Sequence, residues 1–357
     1  MNQTSLNRSF TTWSLLGFAA PSIIMMVFMS LYTIVDGIFI SRFVGSNALS
    51  SLNIVYPMIS VVIAIATMFA TGGNAIVSRY LGQGQEKQAR KALTEFVVIG
   101  VLISTVFAVL VILFENPICR FLGANDELMA DCKAYLTISM LFAPACTLQT
   151  LFQSYFVTAS RPGLGLWLTV AAGILNAVLD YVLIVPIPLG IAGAALATGF
   201  GQLLPAVVGL IFFAIPRKTL RFCRFSFRPR EIRDACINGS SEMIGQMATA
   251  ITTFLFNIIL MRLAGSDGVA AMTILFYGQF LFNAFYLGFA IGIAPVVGYQ
   301  YGAGNRRELR KIYRISFLFT VISSIAMTAA SIILATPIVS VFTKEPETFA
   351  LADAGFK

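Results

Sequence analysis

The chain has 357 residues, of which 58% are hydrophobic and 11% are charged, and its mean hydropathy is +0.85. Soluble domains carry roughly 25% charged residues, so this balance excludes an ordinary soluble domain and predicts a membrane protein. The chain has no histidine, which excludes Ser-His catalysis and histidine proton relays. Its five cysteines lack metal-ligand spacing, and free thiols are expected, with a Cys119–Cys132 disulfide as the alternative.

Nine apolar runs are long enough to cross a bilayer, because a hydrocarbon layer of about 30 Å needs roughly 20 helical residues. They lie at 13–41, 48–76, 93–114, 134–158, 163–188, 190–215, 237–263, 268–298 and 313–335. The ten-residue alternating segments of a membrane β-barrel do not occur in this sequence. The sequence therefore predicts an all-α polytopic membrane protein.

The basic residues are distributed very unevenly between the two sides of these spans. If the N-terminus lies inside, 18 of the 24 Lys and Arg residues fall in inner segments. Cytoplasmic loops collect Lys and Arg, so this asymmetry predicts a cytoplasmic N-terminus and insertion in the cell membrane. The net charge of +8 is then a topological signal, and nucleic acid is excluded as a partner. The basic segment 216–235 is predicted to be a cytoplasmic linker between two lobes, with contact to anionic lipid as the alternative.

An internal repeat appears when the sequence is shifted by 220 residues. Without a gap, this shift pairs identical residues near the same span ends, among them Gly72 with Gly292, Gly82 with Gly302 and Gly84 with Gly304. A unit of six spans is an even number, so two parallel repeats are expected, with their axis along the membrane normal. The N-terminal lobe is assigned to 1–215 and the C-terminal lobe to 236–357. A complete second copy would end about 80 residues later, so the second lobe is expected to be truncated, with helices 7–9 and the start of helix 10.

Two carboxylates lie inside predicted spans at the same depth. Asp36 precedes Arg42 by six residues, and Asp180 precedes Pro186 by six, each at an outer span end. At 1.5 Å per residue, both lie about 9 Å below the outer boundary. A charge at the centre of a membrane helix costs on the order of 3 kcal/mol, so such residues usually mark an ion or substrate path.

Other polar groups are predicted at a comparable level. Asn176 lies one helical turn before Asp180, Thr198 follows on the sixth span, and Tyr135 opens the fourth. This oxygen-rich group of side chains could hold a proton or a hard cation such as Na⁺, or could serve only as hydrogen bonds between helices. Glu242, near the inner end of the seventh span, is a further candidate, either at a hydrated cavity edge or at the interface.

Segment 172–202, with the sequence AGILNAVLDYVLIVPIPLGIAGAALATGFGQ, resembles the fifth and sixth helices of multidrug and toxic compound extrusion (MATE) transporters. Segments 72–93 and 152–166 are similar to other parts of that family, and the carboxylates resemble its DinF-like branch. The resemblance implies a twelve-helix antiporter with two six-helix lobes. It implies an ion site at Asp36, Asn176, Asp180 and Thr198, and it matches Tyr135 to a helix-4 tyrosine. Gln153 stands where some members of the family have asparagine on the inner part of helix 4, and it is a further candidate for the cavity.

The function expected from these features is antiport. A monomer with no cofactor, and not an enzyme, would export drugs or organic cations in exchange for H⁺ or Na⁺ by alternating access. One alternative is a lipid-linked oligosaccharide flippase of related architecture, which would need arginines in its cavity. An intramembrane transferase would need aspartate-rich metal motifs facing the cytoplasm. An inactive transporter fragment is the remaining alternative.

Overall fold

The computed structural model describes residues 5–216, 220–342 and 346–356, and these ranges are helical nearly throughout, without a strand. A 3-10 turn at Ser5–Asn7 precedes the first helix, and a π-helical stretch, Ile40–Val44, follows it. The helices are α1 (Thr12–Phe39), α2 (Ser46–Gly82), α3 (Glu86–Leu113), α4 (Glu115–Phe121), α5 (Met129–Leu141), α6 (Ala143–Thr158), α7 (Pro162–Ile184), α8 (Ile191–Ala214), α9 (Pro229–Gly302), α10 (Arg306–Phe342) and α11 (Pro346–Phe356).

Seven segments of the described chain are long and apolar enough to cross a membrane. The predicted fourth span is an eighth crossing if α5 and α6 count as one span, bent by 51°. The bend falls where Pro144 opens α6, because proline cannot donate the helical hydrogen bond of that turn. The prediction of an all-α polytopic membrane protein is confirmed. The predicted span 237–263 is not among the seven and lies inside α9.

Helix α9 runs through 74 residues where the sequence predicts two spans. Gly72 of α2 lies against Ala235, and Gly82 of α2 lies against Tyr299. The two contacts are about 15 Å apart along α2 but roughly 96 Å apart along a straight α9. Helix α9 therefore doubles back on itself, and both of its ends pack on the same neighbour. This reversal is the arrangement that two antiparallel spans require.

The contact between α2 and α9 depends on glycine. A Cβ added at Gly72 would overlap the backbone of Ala235 and lie 2.9 Å from the backbone nitrogen of Gly239. Neither atom belongs to a flexible side chain, so the helices themselves would have to separate. We expect Gly72→Ala to destabilise the protein by about 1–3 kcal/mol, measured as thermal unfolding in detergent.

The matched control is Gly17→Ala, because a Cβ at Gly17 of α1 meets nothing within 4 Å. That change should be neutral or stabilise by up to about 1 kcal/mol, the usual difference in helix propensity. Equal unfolding temperatures for the two variants would show that α2 and α9 are not in close contact.

The segment that joins α8 to α9 is anchored to the N-terminal helices. Residues 220–228 are non-helical, and α9 begins at Pro229, six residues before the predicted end of the linker at 235. The helix begins early because proline at its first position leaves no helical donor unsatisfied. The predicted linker residues 217–219 lie outside the described residues.

The five cysteines are free thiols, so the predicted alternative of a disulfide between Cys119 and Cys132 is wrong.

Candidate functional site

The carboxyl groups of Asp36 and Asp180 meet between α1 and α7. The two carboxyl groups lie within hydrogen-bonding reach of each other, and Asp180 is 1% exposed. Two ionised carboxylates are both acceptors, so a hydrogen bond between them forms only when one of them carries a proton. One oxygen of each group, Oδ1, is buried and has no partner in the part of the chain that the structure describes. The pair therefore offers two unpartnered acceptor atoms and a place where one proton can be held between the carboxyl groups.

Close packing of α1 against α7 brings this pair together. A Cβ at Gly173 of α7 would lie 2.7 Å from the ring of Phe28 and 3.2 Å from that of Tyr32, both on α1. Asp36 lies one turn beyond Tyr32, and Asp180 lies two turns beyond Gly173, so both carboxyl groups extend from the faces in contact. Shortly after Asp36 the helix widens into the π-helical stretch Ile40–Val44, a distortion that often occurs at functional sites.

Asn176 and Thr198 form a second polar contact, between α7 and α8. The Asn176 amide Nδ2 donates to Thr198 Oγ1 at 3.5 Å. The helices approach closely here because Gly201 of α8 has no side chain. A Cβ added at Gly201 would lie 3.3 Å from the Cβ of Asn176. Asn176 is one turn from Asp180 on the same face of α7. The four residues predicted as an ion site thus form two contacting pairs, which are joined through α7.

Tyr135 lies on α5 and is 6% exposed. Tyr135 and Thr198 also line one cavity of about 40 Å³, together with Ser139, Cys146 and Gln202. A cavity of this size has room for a water molecule or a small ion.

The two remaining candidates lie elsewhere. Gln153 of α6 donates to Thr169 Oγ1 at 3.4 Å and contacts Met29 Sδ at 3.7 Å. Met29 is two turns before Asp36, so Gln153 lies about 10 Å deeper along the same helix interface. Glu242 belongs to a different interface, three residues after the point where Gly239 packs on Met68 of α2.

Sequence reasoning missed the contact between Tyr32 and Gln149. The Tyr32 hydroxyl lies next to the Gln149 side chain, and Gln149 is 4% exposed. The position of Tyr32, one turn before Asp36, is a signal in the sequence for this residue. Gln149 has no comparable signal, because its partner lies more than a hundred positions away in the chain.

An all-helical bundle with several apolar spans and carboxyl groups between them is typical of polytopic membrane proteins that move ions or solutes. The family model named MatE matches residues 21–182 and 243–355. The chain belongs to the MatE family.

Relatives and solved structures agree with this assignment. The chain is 24% identical over 313 residues to the multidrug export protein MepA of Staphylococcus saprophyticus, covering 87% of this chain and 69% of the relative. It is 22% identical over 341 residues to MepA of Staphylococcus haemolyticus, covering 95% and 75%.

Among solved structures, the outward-facing conformation of a multidrug resistance MATE family transporter of the MOP superfamily superposes with a TM-score of 0.91. The identity is 19%, and the match covers 100% of this chain and 80% of that one. A crystal structure of MATE in complex with MaD3S has a TM-score of 0.91 at 20% identity and covers 99% and 80%. These structures show the fold.

Proposed function

We propose that the protein is a secondary antiporter that exports drugs or organic cations in exchange for H⁺ or Na⁺ by alternating access. The observation that carries the proposal is the close Asp36–Asp180 pair between α1 and α7, with one buried, unpartnered oxygen on each carboxyl group. A site of this kind can exchange its bound cation when the surrounding helices move. The export names of its relatives support small drugs as the cargo.

The donor set suits either coupling ion. A proton can be held between the two carboxyl groups, while Na⁺ prefers oxygen ligands, which the carboxyl groups and the Thr198 hydroxyl supply. Binding of the ion from outside would change the hydrogen bonding among α1, α7 and α8 and release the cargo outward. Tyr135 is assigned to the cavity beside the ion, while Gln153 and Glu242 are assigned to cargo contacts at other levels.

We also propose that the chain is built from two parallel repeats. Helix α3 begins at Glu86 and α10 at Arg306, which is 220 residues later. The turns before them carry positive φ at Gly84 (72°) and Gly304 (70°). Across the contact between lobes, Gly82 lies against Tyr299 and Gly302 lies against Arg79, which is the same pair of positions exchanged. Such exchange is expected of a pseudo-two-fold axis.

We assign the two lobes to 1–215 and 236–357. We also propose that the N-terminus is cytoplasmic and that the protein is a monomer in the cell membrane. The DinF-like branch remains a prediction from the sequence resemblance.

Reconstitution separates the coupling ions and the rival functions. Purified protein in proteoliposomes should move a fluorescent organic cation when an inward proton or sodium gradient is imposed, with the two gradients applied separately. Transport driven by one gradient identifies the ion. Movement of a lipid-linked oligosaccharide without cation transport would support the flippase instead, and no movement of either would support an inactive chain.

A smaller effect is expected at Thr198. Thr198→Val removes the hydroxyl group that accepts from Asn176, a contact worth about 0.6 kcal/mol on average in membranes and up to about 1.7. The ion concentration at half-maximal transport should rise roughly threefold. Thr105→Val is the control, since the Thr105 hydroxyl bonds only to Val101 of its own helix among the contacts found. A shift of equal size in both variants would contradict a role of Thr198 in ion binding.

A further inference from the structure

The linker between α8 and α9 is bound along α3. The Cys223 backbone N–H donates to Thr94 Oγ1 at 3.0 Å, and Phe222 packs against the core. The Arg228 guanidinium Nε donates to Glu95 Oε2 at 3.1 Å, and its backbone N–H also donates to Glu95. The segment from 222 to 228 is therefore held at a defined level of the bundle.

That level is the inner edge of the hydrocarbon layer. From Phe96 to Phe114, α3 carries no charged residue, and Glu95 and Glu115 bound this stretch. Nineteen residues span about 28 Å, which matches the roughly 30 Å thickness of the hydrocarbon core. Glu95 marks the boundary on the cytoplasmic side of the proposed topology, and Arg228 is bonded to it. The linker thus lies at the height of the lipid headgroups.

Its outward face combines aromatic rings with positive charge. Phe222 packs against the core, whereas the side chains of Phe225 and Phe227 are exposed. Phe225 is 44% exposed and Phe227 is 64% exposed. Arg224 and Arg230 flank them and are exposed as well.

The acidic residues near Arg224 and Arg230 are paired with other arginines. Glu231 is paired with Arg228, and Asp234 is paired with Arg233. Within the described residues, no ion pair includes Arg224 or Arg230, so their charge is not balanced by the protein.

We infer that this face of the linker binds the anionic lipid headgroups of the cytoplasmic leaflet, with Phe225 and Phe227 inserted at the boundary and Arg224 and Arg230 on the phosphates. Phenylalanine rings of interfacial segments insert at the boundary between headgroups and acyl chains. Each arginine near an anionic surface favours binding by roughly fivefold. The occupant is a lipid surface because the two rings lie at headgroup depth and the unbalanced charges are positive.

The inference is tested with a tryptophan placed at the linker. Both native tryptophans, Trp13 and Trp167, are replaced by phenylalanine, and Phe227→Trp is introduced in the full chain. In proteoliposomes, Trp emission should be quenched severalfold more by brominated phosphatidylglycerol than by brominated phosphatidylcholine at equal mole fraction. Arg224→Gln with Arg230→Gln should abolish this preference, and high salt should weaken it.

The charge-matched control is Arg306→Gln with Arg307→Gln, which removes two exposed arginines at the start of α10 and should leave the preference unchanged. No quenching by either lipid, as expected if the face meets water or a partner protein, would overturn the inference. Equal quenching by both lipids would also overturn the inference.

If the tryptophan-free background does not fold, phosphatidylglycerol should still raise the unfolding temperature of the native chain more than that of the Arg224 and Arg230 variant. Equal rises would count against the inference.

Discussion

Replacing Asp36 by asparagine is expected to lower ion-driven efflux of a fluorescent organic cation by about tenfold to a hundredfold, the usual range of coupling between two binding events. Asparagine keeps the shape of the side chain and can still bond to Asp180, but it neither takes up a proton nor offers a negative charge to Na⁺. The measurement is initial efflux from proteoliposomes under the gradient that drives the native chain. Unfolding should be unchanged or improved, because a buried charge is removed.

The control for this prediction is Asp126→Asn. Asp126 is an exposed acid outside the helices, and its partner Arg120 is also exposed, with 90% and 70% of the side chains accessible. Efflux should be unaffected there. If Asp36→Asn transported at the native rate under the same gradient, coupling through the Asp36–Asp180 pair would be wrong.

Replacing Arg228 by methionine is expected to destabilise the folded protein by about 3–5 kcal/mol, because it leaves a buried carboxylate without its cation. The Glu95 side chain is 0% exposed and Arg228 is 18% exposed. Arg228 also donates to Gln88 Oε1 at 3.2 Å and bonds to Glu231, so one guanidinium group joins α3, the linker and the start of α9. The loss should be measured as unfolding in detergent.

Two further variants make this prediction specific. Arg233→Met removes an ion pair whose side chains are 69% and 44% exposed, and it should cost less than about 1 kcal/mol. Glu95→Met combined with Arg228→Met should recover much of the loss, since an apolar pair needs no compensation. Equal losses for Arg228→Met and Arg233→Met would mean that the Glu95 carboxylate is hydrated.

Several features of the site could be predicted from local spacing. The equal depth of Asp36 and Asp180 follows from counting residues to a span end, because helical rise is constant. Asn176 follows from its position one turn before Asp180. The contacts of Gln149 and Gln153 could not be predicted, since they depend on which faces of α1, α6 and α7 meet.

The reversal inside α9 also could not be predicted from local spacing alone. Hydropathy predicts two spans there, yet the structure has one helical element, and only its contacts with Gly72 and Gly82 of α2 show that the chain turns back. Likewise, the sequence marks 216–235 as a basic linker and leaves lipid contact open. The anchoring of Arg228 to Glu95 sets the linker's depth and decides which of its side chains face outward.

The sequence by itself determined the class of the protein, the number and positions of most spans, and the residues with an unusual burial cost. Each of these depends on short-range quantities, namely apolar length, helical rise and local charge. The tertiary structure decided which polar groups meet, because such contacts join residues distant in the chain and require glycines at the crossing points. The pairing of Asp36 with Asp180 depends on the sequence and on the tertiary structure. The sequence predicts that the two residues lie at a common depth. The packing of Gly173 against Phe28 and Tyr32 then brings the carboxyl groups together.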